Sequence, residues 1–147
     1  MKKLRTSLSA LLVCVIAMNA KAQLTGTRWK GIANVPTPLD CLFYFKTDTL
    51  LLQYAGSQPV TLTGADGDMI SATGKDSIVI ETMTYKISGD TLTLQKVKGG
   101  SPCTDEIGAY KITIKDNKLL VALIDDACEA RVQAWPADPL TRVIKIY

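Results

Sequence analysis

The chain has 147 residues, with 17 Lys and Arg against 14 Asp and Glu, and it contains no histidine. A chain of this length makes one domain and buries about two-thirds of its unfolded surface. The missing histidine removes the commonest general base, the commonest zinc ligand and the usual axial ligand of haem, so Ser-His-Asp and Cys-His catalysts are excluded.

The N-terminus has the three parts of a cleavable secretory signal peptide. Lys2, Lys3 and Arg5 make a cationic start, the run from Ala10 to Met18 is apolar, and Ala20-Lys21-Ala22 supplies small residues where a signal peptidase reads. An apolar run of about ten residues is too short to span a bilayer, which takes about 20, so no integral anchor is expected after cleavage. The expected cut follows Ala22, dividing the chain into a signal peptide (1–22) and one domain (23–147). Cleavage removes four of the basic side chains and none of the acidic ones, leaving a charge near −1. The basic balance of the full chain therefore belongs to the targeting segment, and no Lys/Arg cluster remains as a footprint for nucleic acid. The expected location is secreted or periplasmic.

From Thr27 onward, short runs rich in Val, Ile, Thr, Tyr, Phe and Leu are broken every 8 to 12 residues or so by Gly, Pro, Asp or Asn, the signature of an antiparallel sandwich or barrel. Expected strands are 27–33, 39–45, 49–54, 60–63, 69–72, 77–87, 91–97, 107–114, 118–124 and 141–146. Gly89-Asp90 suits a turn that sets Ile87 opposite Leu92 and Tyr85 opposite Leu94. A two-residue turn at Asp116-Asn117 sets Ile114 opposite Leu119, Ile112 opposite Val121 and Tyr110 opposite Leu123, giving that ribbon an apolar face. The stretch 126–135 leaves period two: Asp125 or Asp126 suits a helix cap and Pro136 a stop, while a loop running directly into the last strand is the competing reading.

Past the signal peptide three cysteines remain, in a compartment where disulfides persist. Cys103 precedes the strand entering the Asp116-Asn117 turn and Cys128 follows the strand leaving it, within about two residues of facing one another. The expected bridge is Cys103 to Cys128, worth about 3 kcal/mol in the loop-entropy account. Cys41 shares a strand face with Leu39, Phe43 and Phe45 and reads as a buried free thiol. No glycine-rich phosphate loop or paired-cysteine metal motif occurs, so neither a cofactor nor a metal is expected. Glu81, Asp76 and Asp68 are the acids a carboxylate catalyst would use, but surface or turn acids explain them more simply. Residues 64–68 lack the spacing and closing Glu of a calcium loop and read as a tight turn.

Gly26-Thr27-Arg28-Trp29-Lys30, then Tyr85-Lys86-Ile87-Ser88-Gly89-Asp90-Thr91-Leu92-Thr93-Leu94, then Cys128-Glu129-Ala130-Arg131, in this order, resemble the bacterial secreted lipocalin-like family. The likeness covers nearly the whole chain from Gln23, although the opening here is Gly-x-x-Trp where the family has Gly-x-Trp. It implies an all-β, antiparallel up-and-down barrel of about 8 to 10 strands. It also implies that Trp29 and Arg131 form the pair that closes the barrel, with Arg142 competing for the tryptophan.

An eight-stranded barrel sits at the size where the interior either holds one small ligand or is filled by its own side chains. The candidate inner face is Phe43, Phe45, Met83, Tyr85, Tyr110, Ile112, Val121 and Leu123, each of which serves equally as core. The function expected first is noncatalytic carriage of a small hydrophobic molecule. The alternatives are a protein-interaction or inhibitor module using loops 33–38 or 99–102, and an enzyme using carboxylates or Cys41.

Overall fold

The computed structural model describes residues 19–67, 69–72 and 78–144. The cationic start and apolar run of the expected signal peptide lie outside them. A short helix α1 (Ala20–Leu24) leads into β1 (Thr27–Asn34), β2 (Pro38–Phe45) and β3 (Thr49–Tyr54); β4 (Val60–Thr63) and β5 (Met69–Ala72) follow. Next come β6 (Val79–Ser88), β7 (Thr91–Gly99), β8 (Ile107–Lys115) and β9 (Lys118–Asp125), then helix α2 (Glu129–Ala134) and β10 (Leu140–Arg142). Eight strands close an antiparallel barrel in the order β1-β10-β9-β8-β7-β6-β3-β2, while among the described residues β4 and β5 pair with each other alone. The chain is all-β with a short helix near its C-terminus.

Both hairpin registers follow from side-chain alternation. Ile87 faces Leu92 and Tyr85 faces Leu94 between β6 and β7; Ile114 faces Leu119 and Ile112 faces Val121 between β8 and β9. Asp116 and Asn117 both take positive φ (50° and 59°), the type I′ geometry whose twist matches the flanking strands and which Asp and Asn tolerate better than most side chains. Inward positions of these strands fill the core: Trp29, Phe43, Phe45, Leu50, Leu92, Leu94, Leu119 and Leu140 are almost wholly buried.

The last strand, expected over 141–146, is shorter among the described residues, and Lys145 and Ile146 lie outside them. It begins at Leu140, ends at Arg142, and among the described residues pairs with β1 at Trp29 and Lys30 and with β9 at Leu119 and Lys118. Beyond those pairs, no ladder among the described residues joins the facing stretches of β1 and β9. Trp135 fills the interior there, stacked on Phe43 at 5.0 Å between ring centroids and tilted against Tyr110 at 5.6 Å.

The α1 end of the barrel is closed. Leu24 is fully buried and α1 rests against β6 and β8. The expected cut after Ala22 falls inside α1 and leaves Leu24 on the mature side. Polar atoms at this end are paired in sequence: Trp29 Nε1 donates to Thr27 Oγ1 (2.8 Å), which donates to the Leu24 carbonyl (2.5 Å). Tyr85 lies edge-on to Phe45 and donates its hydroxyl to the Lys46 carbonyl (2.5 Å).

Candidate functional site

At the opposite end, the β1–β2 loop, the β4–β5 hairpin, the β7–β8 connection and α2 surround a cavity of about 330 Å³. Its walls are mostly apolar, with Val35, Leu52, Leu62, Ile80, Met83 and Ala130 among them, and two charged side chains, Glu81 and Arg131, also line it. Strand alternation explains Glu81. Positions 81, 83 and 85 share the inward face of β6, and Glu81 stands opposite Leu52 of β3. It is only 6% exposed, so the reading of it as a surface acid is corrected. Ser101 supplies two donors, the hydroxyl to Oε1 (2.6 Å) and the backbone N–H to Oε2 (3.2 Å). Gly99 makes room: a Cβ there would overlap Glu81 Oε2 and the Ile80 carbonyl, and its φ of 142° disfavours any side chain. Asp68 and Asp76, grouped with Glu81 as candidate acids, lie outside the described residues.

Arg131 is 5% exposed and belongs to a buried polar network centred on Asp126. The Asp126 carboxylate accepts from Arg131 Nε (2.6 Å) and Nη2 (2.8 Å), from the Cys128 N–H (2.8 Å) and from the Tyr110 hydroxyl. Arg131 Nη2 also donates to the Glu106 carbonyl (2.9 Å). Burial raises the Asp126 carboxyl pKa, but hydrogen bonds from Arg131, Tyr110 and the Cys128 amide outweigh it and hold the group below the usual carboxylate range. Burial, reinforced by Asp126, pushes the Tyr110 phenol well above its ordinary value. Removing one partner of such a buried pair leaves an uncompensated charge and costs about 3–5 kcal/mol.

The Cys103–Cys128 disulfide forms as expected, with 5.5 Å between Cα atoms, and ties the β7–β8 connection to the start of α2. The expected Trp29–Arg131 pair does not form. The Arg131 guanidinium is engaged by Asp126, and the cation above the Trp29 ring is Arg142, 5.8 Å from the centroid. Register decides this outcome, because β1 pairs Trp29 directly with Arg142.

Of the eight candidate lining residues, Met83 alone lines the cavity. Phe43, Phe45, Tyr85, Tyr110 and Ile112 are buried among one another and Val121 packs at their margin, so these six are core. Leu123 is 53% exposed. It stands opposite Tyr110, but the register slips beside that pair and, among the described residues, no strand pairs with β9 on its other side there, so the chain turns Leu123 out of the barrel. Cys41 is buried and unbridged, and burial pushes its thiol up to about 11, which leaves it protonated at neutral pH.

Sequence reading missed Val35, Leu52 and Ile80 as lining, and Asp126 as the partner of Arg131. The one available signal was period two, which makes Glu81 an inward-facing acid on the same face as Met83 and Tyr85. In comparisons with known proteins, no family model, no curated protein and no solved structure matches this chain.

Proposed function

We propose that the chain is an exported, noncatalytic carrier of lipocalin-like type that holds a small hydrophobic molecule at the α2 end of its barrel. The observation that carries this reading is the apolar-walled cavity of about 330 Å³ at one end of an otherwise packed barrel. That volume lies at the lower end of the range of about 300–1,000 Å³ common for small-molecule sites. Export to the periplasm or medium is supported by the signal-like N-terminus and by a disulfide compatible with an oxidising compartment. The absence of histidine and the protonated Cys41 thiol favour carriage over catalysis.

Native mass spectrometry on protein recovered from the periplasm of an expressing bacterium tests this reading. A small-molecule adduct lost on denaturation is the expected result, and the denatured mass should place the N-terminus at Gln23. The second reading, an interaction module, is favoured by Leu120, Leu123 and Ile124, which are exposed along the β9 edge that β10 leaves unpaired. A bare mass that stays bare after exposure to lipid extract, with a stoichiometric protein co-purifying, would replace the carrier reading with that one.

A further inference from the structure

From Gln23 onward no two basic residues are adjacent in the sequence, yet the strand ladder gathers several of them on one outer wall of the barrel. Lys115 and Lys118 close the Asp116-Asn117 turn as a directly opposed pair, Lys118 stands opposite Thr141, and Thr141 stands opposite Lys30. Residues opposed in a ladder share a face, and all four are exposed, so β8, β9, β10 and β1 present a row holding three lysines to solvent. Arg28 lies two residues before Lys30 on the same face, its guanidinium 4.4 Å from the Tyr44 ring centroid. The Arg142 amide donates to the Asn117 carbonyl (2.9 Å), which sets the exposed Arg142 beside the turn.

Little compensates these charges. Lys30 meets Asp40 at 3.7 Å between half-exposed side chains, Asp116 stands in the turn itself, and Lys118 donates to the Thr141 hydroxyl (2.8 Å). Arg28, Lys115, Lys118 and Arg142 form no ion pair among the described residues. Like charges directly opposite in a ladder destabilise it, so Lys115 and Lys118 carry a cost that an external anion would relieve. Val143 and Ile144 follow Arg142 and are 42% and 64% exposed. Apolar side chains beside cations suit the boundary of an anionic bilayer, where headgroups meet the charge and the acyl region meets the hydrocarbon. A soluble polyanion would leave both side chains in water. At the α2 end the balance is reversed, with Asp66, Asp105, Asp125 and Glu129 exposed against Lys98.

We infer that the Lys115–Lys118 wall docks the exported protein on an anionic lipid surface, with the acidic α2 end and its cavity turned away from the bilayer. The inference stands on the outer wall alone and does not rest on the carrier reading.

The test is sedimentation of the exported protein with vesicles of phosphatidylcholine, or of phosphatidylcholine and phosphatidylglycerol in equal parts. Binding to the mixed vesicles should be tighter by at least about ten-fold and should weaken as salt is raised. Replacing Lys115 and Lys118 together by Gln should cost about ten-fold in affinity, while Lys98→Gln at the opposite end stays within about two-fold. Replacing Val143 and Ile144 together by Ser should weaken binding several-fold at every salt concentration. If a variant fails to fold, the comparison of the two vesicles with the unaltered protein decides alone. Equal binding to both vesicles, binding to neither, or full retention by the Lys115 and Lys118 variant overturns the inference. Equally tight binding to dextran sulfate, indifferent to Val143 and Ile144, would replace the lipid surface with a soluble polyanion and overturn it as well.

Discussion

At the α1 end of the barrel, Leu24, Trp29 and Phe45 are buried against one another's neighbourhood, and the polar atoms there are settled within the local chain, Trp29 through Thr27 to the Leu24 carbonyl. At the α2 end, Asp126 and Arg131 are as deeply buried as those apolar side chains, and a cavity stands beside them. One end thus holds the fold by burying apolar surface, with no buried charge among its described residues. The other depends on a charged pair whose members are costly to separate, on a disulfide, and on a wall of loops. A barrel stabilised in this way has a rigid floor and an end where function can be placed without dismantling the core.

The sharpest way to break that comparison is Arg131→Ala, which strands the Asp126 carboxylate and should cost about 3–5 kcal/mol in urea unfolding. Equal losses from Arg131→Ala and Arg142→Ala would refute the assignment, because the Arg142 contact with Trp29 should be worth only about 0.5–1 kcal/mol. Leu24→Ala probes the opposite end, where losing a fully buried side chain should cost about 2–5 kcal/mol and leave ligand affinity unchanged. Replacing Cys103 and Cys128 together by alanine should cost about 2–4 kcal/mol and loosen the α2 end selectively, seen as faster amide exchange around Ser101 and Arg131 than around Trp29.

The smallest effect is a pH dependence confined to the same end. Asp126 has a depressed carboxyl pKa, so its contribution is complete above the unfolded value of about 3.9 and is lost as pH falls through the lower folded value. Tyr110 is raised, so its contribution is complete below the unfolded value of about 10 and is lost as pH rises through the folded one. Amides of α2 should therefore lose exchange protection in acid and in strong base before those of β1 and β2. Simultaneous loss at both ends would count against the distinction.

Most of the barrel was legible in the sequence because strand alternation and turn chemistry are local signals. Tyr85 opposite Leu94 and Ile112 opposite Val121 follow from period two once Gly89-Asp90 and Asp116-Asn117 are read as turns. The disulfide was legible for the same reason, since the hairpin between Cys103 and Cys128 brings their flanks together. The cavity was not, because its walls come from four connections far apart in the chain, and no local pattern states which inward side chains touch one another. Arg131 was misassigned because two arginines stood near the last strand and only the barrel closure, Trp29 against Arg142, decides between them. Leu123 was misassigned because alternation assumes an unbroken ladder, and the ladder slips beside Tyr110.

The most direct test of a ligand site confined to the α2 end is a pair of amide NMR spectra of the exported protein, recorded without and with octan-1-ol. Saturable shifts at Met83, Gly99, Ser101 and Arg131, with Leu24, Trp29 and Phe45 unmoved, are the result this structure predicts. Shifts centred on the α1 end, or no saturable shifts anywhere, would contradict it.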